Sequence, residues 1–236
     1  VLTLAAATWL FWYPPPYFRF DGGWQVLRLV AVVDVVLGPL LTLVVYRRGK
    51  KDLAIDLSII GGVQLAAFIY GAAVLVQYRP AFLVYAPKNF YAVPWPEVER
   101  YTRDQARIQA MRTGGGPVTV VLDLPADTLQ QEIVRQAAKA SGARVTLLGD
   151  YYQTMTPAHW AKILPDSVNL AAQLKDQPEL AADLEDFSRR FLQGAPVQLE
   201  RYAFYPGVFR YGVILFVLDR ADGHICLLYT SPSPRD

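Results

Sequence analysis

Two regimes of polarity divide the chain. Up to about Gln77 apolar residues run almost without a break, and after it charges are frequent and turn residues recur every dozen positions or so. Three apolar runs fill the first regime: Val1–Trp12, the 20 residues Leu27–Tyr46, and the 25 residues Leu53–Gln77. A membrane-crossing helix needs about 20 apolar residues. The second and third runs meet that length, and the link RRGKKD between them allows only a tight antiparallel hairpin. The first run is too short as it stands. Because the chain begins at Val1, inside the run, we read it as the end of a helix whose front is missing. Trp9, Trp12 and Tyr13 would then sit in the interfacial aromatic belt, and Pro14–Pro16 would stop the helix. The alternative is a signal peptide with small residues near Ala5–Ala7. The pattern thus predicts three transmembrane helices, at about 1–13, 27–46 and 53–77, with the first truncated.

The second regime changes period. Phe82–Tyr85 and Phe90–Val93 flank a hairpin-like turn, APKN. Pro96–Arg112 has helical spacing, opens on proline and stops at Gly114–Gly116. Val118–Leu124 predicts a strand, and Asp127–Gly142 a helix with a glycine stop, followed by the run RVTLL at Arg144–Leu148. Thr156 and Pro157 read as N-cap and first residue of a short helix. Pro178–Gly194 predicts an amphipathic helix. VQLERYAFYP and YGVILFVLD predict strands, with a turn at Ala221–Gly223. The expectation is an α+β domain over residues 79–223, joined to a membrane region over 1–78. After Gly223 one more strand is expected to return along VILFVLD. Residues 224–236, HICLLYTSPSPRD, read instead as a non-native tail resembling translated adapter sequence, so Cys226 is not counted as native.

Charge orients these elements. The RRGKK link carries Arg47, Arg48, Lys50 and Lys51, while the loop Tyr13–Val26 has only Arg19. Positive charge in short loops marks the cytoplasmic side. The link is therefore expected in the cytoplasm, and the 79–223 domain on the other side, the periplasm of a bacterium with two membranes.

One charge lies where charge is costly. Asp34 sits about halfway along the second run. With Gly38 and Thr42 it forms a four-residue ridge, and Asp56, Ile60 and Gln64 form another on the third run. Counted from the centre of the link, the two ridges fall at matching depth. Intramembrane polar groups face the bundle interior and seek partners. The expectation is a clasp in which Asp34 reaches Gln64 and Gly38 admits Ile60; the alternative is that Asp34 docks a partner's membrane helix. Asp56 lies in the first turn of its helix, where the dipole favours a negative charge. Ser58, Gly62 and Ala66 form a small-residue ridge able to contact another helix.

Composition sharpens this picture little. The chain of 236 residues is 53% apolar and 19% charged, with a net charge of +2 that gives no reason to expect nucleic acid. One cysteine excludes a disulfide framework or a CxxC site. Gly114–Gly116 lies between a helix and a strand, the wrong order for a phosphate cradle. His159 and His224 sit in no catalytic or metal motif, and Asp123, Asp150 and Asp219 read as ordinary residues at strand ends. No enzyme activity, cofactor or metal is expected.

Several motifs together resemble a known family. They are the exit WYP, the loop FDGGWQ with Asp21, Gly22, Gly23 and Trp24, the helix motif D-x-x-x-GPLLT, the helix LSII…QLAA…YG, and the entry RP-x-x-LV. Trp24, Asp34, Gly38, Pro39, Thr42 and Gln64 occupy motif positions. Over Trp12–Tyr91 the chain resembles the type IV pilin accessory proteins of the TfpX/TfpZ type; beyond that the likeness is looser, resting on FYAV, RYAFYP and the VILFVLDRADG hairpin. The resemblance implies an inner-membrane accessory or chaperone that assists assembly or display of a cognate type IV pilin, with the pilin and the lipid bilayer as partners. The rival expectation is a membrane-anchored extracytoplasmic sensor or ligand-binding protein.

Overall fold

The computed structural model describes residues 28, 43, 53–112, 116–170, 185, 189 and 200–229, without the side chains of 53 and 226–229. Apart from Arg28 and Leu43, both helical, the first two expected membrane helices, the RRGKK link, the loop with Asp21–Trp24 and most of Pro178–Gly194 lie outside the described residues. Within that last stretch Glu185 and Arg189 are helical and 4.0 Å apart, an i,i+4 ion pair. The chain divides into two units, 1–80 with 94–96, and 81–93 with 97–236.

In the first unit, Leu53–Tyr78 forms one helix, α1. It has no proline and is rich in Leu, Ile, Val and Ala, so nothing in the run interrupts i→i−4 bonding. Ala54–Tyr78 contains an 18-residue window of mean hydropathy 2.1 and is long and apolar enough to cross a membrane. Ile55, Ile59, Val63, Leu65 and Ile69 are all about 60% exposed. In water such a continuous apolar face would be a strong liability, whereas acyl chains cover it without cost.

The second unit is built on a seven-stranded mixed sheet with the order β4-β3-β1-β2-β5-β6-β7. The strands are β1 (Pro80–Ala86), β2 (Asn89–Pro94), β3 (Val118–Leu122), β4 (Tyr152–Thr154), β5 (Tyr202–Phe209), β6 (Gly212–Asp219) and β7 (Ile225–Tyr229). β1 is buried at every position, as its unbroken apolar sequence requires of a central strand covered on both faces. A two-residue turn, Pro87–Lys88, joins it to β2, with Lys88 at φ 71°. β3 runs parallel to β1, and β5 parallel to β2 through Phe90↔Gly207 and Tyr91↔Val208. β5, β6 and β7 form an antiparallel meander. The expected α+β character is thus present, with two parallel pairings inside an otherwise antiparallel sheet.

Among the described residues, four further helices with printed bounds are α2 (Trp95–Tyr101), α3 (Gln105–Met111), α4 (Thr128–Ala140) and α5 (Pro157–Ile163). Asp127 caps α4 by accepting from the N–H groups of Leu129 and Gln130, and Gly142 at φ +74° ends it. Thr156 caps α5 and Pro157 opens it.

Two expectations need correction. Pro96–Arg112 is two helices, not one. The chain breaks at Thr102–Asp104 because Asp104 caps α3 and the N–H groups of Arg103 and Asp104 both bond Asp150, 46–47 residues away. RVTLL, to which the sequence assigned no element, folds as a 3-10 turn, Val145–Leu147, whose Thr146 and Leu147 are buried. β5 begins at Tyr202 and extends to Phe209, several residues later than VQLERYAFYP suggested. Separately, Ile225–Tyr229, within the segment read as a tail, pairs antiparallel with β6.

Candidate functional site

Two polar residues of α1, Asp56 and Gln64, fall on one ridge. Asp56, Ile60, Gln64 and Phe68, spaced four apart, are half-buried. Ser58, Gly62 and Ala66 lie on the exposed side. Ser58 Oγ donates to the Ala54 carbonyl at 2.7 Å, so its hydroxyl is satisfied within the helix. A Cβ added at Gly61 or Gly62 would meet nothing within 4 Å. Asp56 occupies the first turn. Asp34, Gly38 and Thr42 lie outside the described residues, as do Asp21, Gly22, Gly23 and Trp24. The ridge to which the sequence assigns Asp34's partner is therefore the less exposed side of α1, and the small-residue ridge is the open one.

In the second unit an aromatic cluster holds the centre. Phe90 packs against Tyr85 (5.2 Å between centroids), Tyr205 (5.5 Å) and Phe216 (5.4 Å), and Trp160 meets Tyr205 at 6.0 Å. Burying each such ring is worth roughly 1.5–3 kcal/mol. The polar tips are all answered. Tyr85 OH donates to Asp166 Oδ2 at 2.9 Å, Tyr205 OH to the Ile163 carbonyl at 2.8 Å, and Trp160 Nε1 to the Arg220 carbonyl at 3.1 Å. Burial pushes the Tyr85, Tyr152 and Tyr205 phenols above their ordinary range; for Tyr85 the bond to Asp166 adds to this. Asp219 is held below the usual carboxylate range, chiefly because the Ala221 N–H donates to it, with Arg201 assisting.

Two polar assemblies escaped the sequence reading. Arg107 donates to the carbonyls of Tyr152 (3.0 Å), Gly149 (2.9 Å) and Asp150 (2.9 Å), while the Asp150 carboxylate receives the Arg103 and Asp104 N–H groups. Asp150 thus ends no strand: it lies in a 3-10 turn and fastens the α2–α3 break. The T-R-D triplet at 102–104 was the available signal, since Thr and Asp compete with helix hydrogen bonding. Asp150→Ala is expected to lower stability by about 1–3 kcal/mol by orphaning two N–H groups, read as a lower denaturation midpoint; an unchanged midpoint would show that water satisfies them. The second assembly is Glu97, which pairs with both Arg210 and Arg144.

Little here suggests chemistry. His159 Nδ1 lies 3.0 Å from Thr156 Oγ1 and 3.2 Å from the Thr154 carbonyl, a helix-capping arrangement. The His224 N–H donates to Asp222 within the β6–β7 turn. Among the described residues no group of three or more His, Cys, Asp or Glu could hold a metal. A cavity of about 360 Å³ is lined by Leu164, Ser167, Asn169, Glu200, Phe204 and Arg220, among others.

Comparison with known proteins gives the strongest indication. The chain is similar to fimbrial assembly proteins. It is 38% identical over 86 residues to the fimbrial assembly protein of serogroup E1 of Dichelobacter nodosus, covering 36% of this chain and 34% of that protein. It is 38% identical over 84 residues to the proteins of serogroups C1 and C2 (35% of this chain, 64% of the relative) and of serogroup I (35% and 33%) from the same organism. The chain spans about a third of the length of two of these curated relatives and just under two thirds of the other. No family model matches it, and no solved structure does.

Proposed function

We propose that this protein is an inner-membrane accessory factor that assists assembly or display of a cognate type IV pilin. The observation that carries this reading is the 38% identity to proteins named for fimbrial assembly. The exposed apolar α1 supports it, because a pilin-like client with an apolar helix could be met laterally within the bilayer. In this reading the ridges of α1, with Asp34, Gly38 and Thr42 on the preceding helix, contact the client or each other. The domain that follows lies in the periplasm near the client's head. No step in it requires catalysis or a cofactor.

Deleting the full-length gene should reduce surface fimbriae of one pilin type while pilin synthesis continues, and crosslinking should recover that pilin. Normal fimbriation with no crosslink would favour the sensor reading. Topology is tested separately. Single cysteines at Gly49 and Gly114, in a Cys226→Ser background, are labelled in spheroplasts with an impermeant thiol reagent. Gly114→Cys should react and Gly49→Cys should not; the opposite pattern would reverse the orientation.

A further inference from the structure

The cavity of about 360 Å³ beside β5 lies wholly within the sheet-bearing unit, and hydrogen bonds of the fold fix its walls. One wall is the stretch 164–170 that follows α5. It is pinned from the sheet at three points. The Tyr205 OH donates to the Ile163 carbonyl at 2.8 Å, the Tyr85 OH to Asp166 Oδ2 at 2.9 Å, and the Val168 N–H to the Phe204 carbonyl at 2.8 Å. The other wall is the open end of the β5–β6 hairpin. There the Arg220 N–H donates to the Arg201 carbonyl at 3.0 Å, so Glu200, the next residue along, stands beside Arg220. The volume lies within the range of small-molecule pockets, about 300–1,000 Å³.

The lining divides by chemistry. Leu164, Val168 and the buried Phe204 offer an apolar surface. Arg220 offers a cation. Its Nε donates to the Tyr202 carbonyl at 2.9 Å and its Nη2 to Ser167 Oγ at 3.4 Å. These bonds hold the guanidinium in place and leave its remaining N–H groups for an anion. Glu200 offers an exposed carboxylate. Among the described residues neither Glu200 nor Arg220 is in an ion pair, although they are neighbours. A simple anion such as phosphate would meet repulsion from Glu200. A purely apolar ligand would take water from both charges and return nothing. A zwitterion with an apolar body answers the cation, the carboxylate and the apolar surface together.

We infer that this cavity binds a free α-amino acid with an apolar side chain, of the size of leucine or phenylalanine. Its carboxylate meets the Arg220 guanidinium, its ammonium meets the Glu200 carboxylate, and its side chain lies against Leu164, Val168 and Phe204. The site adds a small-molecule ligand to the assembly role proposed above, and it depends neither on that role nor on α1.

The test uses the full chain in detergent. Equilibrium dialysis with radiolabelled L-leucine and L-phenylalanine should show saturable binding of at least one. Glu200→Gln and Arg220→Gln should each weaken it ~10-fold or more. Glu200→Gln should leave the denaturation midpoint unchanged. The ligand is then altered in place of the protein. N-acetyl-leucine lacks the ammonium, so it should bind more weakly than leucine and equally well to the parent and to Glu200→Gln. Leucinamide lacks the carboxylate and should be indifferent to Arg220→Gln in the same way. Damage to the fold would instead weaken every probe alike. No saturable binding of either amino acid at millimolar concentration overturns the inference, as does an affinity that Glu200→Gln leaves intact. Tri-leucine binding more tightly than leucine would assign the cavity to a peptide and overturn it too.

Discussion

Gly207→Ala should destabilise the domain by about 1–3 kcal/mol, the range for forcing atoms into a packed core. An added Cβ would stand 2.1 Å from Phe216 Cε2, 2.6 Å from its Cδ2 and 3.2 Å from Ile214 Cγ1. Phe216 is fully buried, with Phe90 at 5.4 Å and Phe209 stacked at 6.1 Å, so its ring has no open direction. Gly207 also pairs with Phe90 across the β2–β5 seam, which joins the meander to the rest of the sheet. The strain falls on that join. Denaturant melts of the full chain in detergent would measure it. Gly207→Ala combined with Phe216→Leu should recover part of the loss, because the two sites share one space. A Gly207→Ala protein as stable as the parent would mean that the seam relaxes freely. Gly62→Ala is the contrasting control, since its Cβ meets nothing and alanine favours the helix.

Raising the pH above about 10 should unfold the domain cooperatively. Tyr85, Tyr152 and Tyr205 have phenols raised above their ordinary value, first by burial. The folded state therefore keeps protons that the unfolded state releases. Stability from these groups is fully present below pH ~10 and is lost as pH rises from there towards their folded values, by up to about 1.4 kcal/mol per pH unit for each. Tyr152 is the most secure contributor: it is fully buried beside Phe82 at 5.3 Å, and its hydroxyl bonds the Thr146 carbonyl. Phenolate absorbance should show a steep step coincident with loss of ellipticity. Tyr152→Phe should flatten that step while costing about 1 kcal/mol near neutrality through the lost hydrogen bond. Ionisation of Tyr85, Tyr152 and Tyr205 at the ordinary phenol value without unfolding would show that the cluster is open to solvent.

Much of the local structure was legible. The run Leu53–Gln77 specified α1 by length and apolarity alone, because helix formation in lipid needs only internal backbone bonds. Asp127 with Gly142, and Thr156 with Pro157, marked their helices because caps act within a few residues. The four-residue polar ridge Asp56–Ile60–Gln64 was equally legible, since helical periodicity places its members on one side.

Tertiary structure decided the rest. The break at Thr102–Asp104 depends on Asp150, 46–47 residues away, and no window around residue 103 contains that carboxylate. RVTLL carries strand-like residues, yet it folds as a 3-10 turn that buries Thr146 and Leu147. The start of β5 depends on its register with β6, where Tyr202 meets Asp219. The order of the strands, the parallel seam at Phe90–Gly207 and the aromatic cluster across it are non-local in the same way. The chain itself determined where most of the helices and strands would form, because propensity, capping and periodicity operate between near neighbours. Which strands adjoin, which glycine cannot bear a methyl group, and which residues meet around the cavity at Phe204 follow from pairings between residues far apart in sequence. Only the folded packing of the whole domain selects among those pairings.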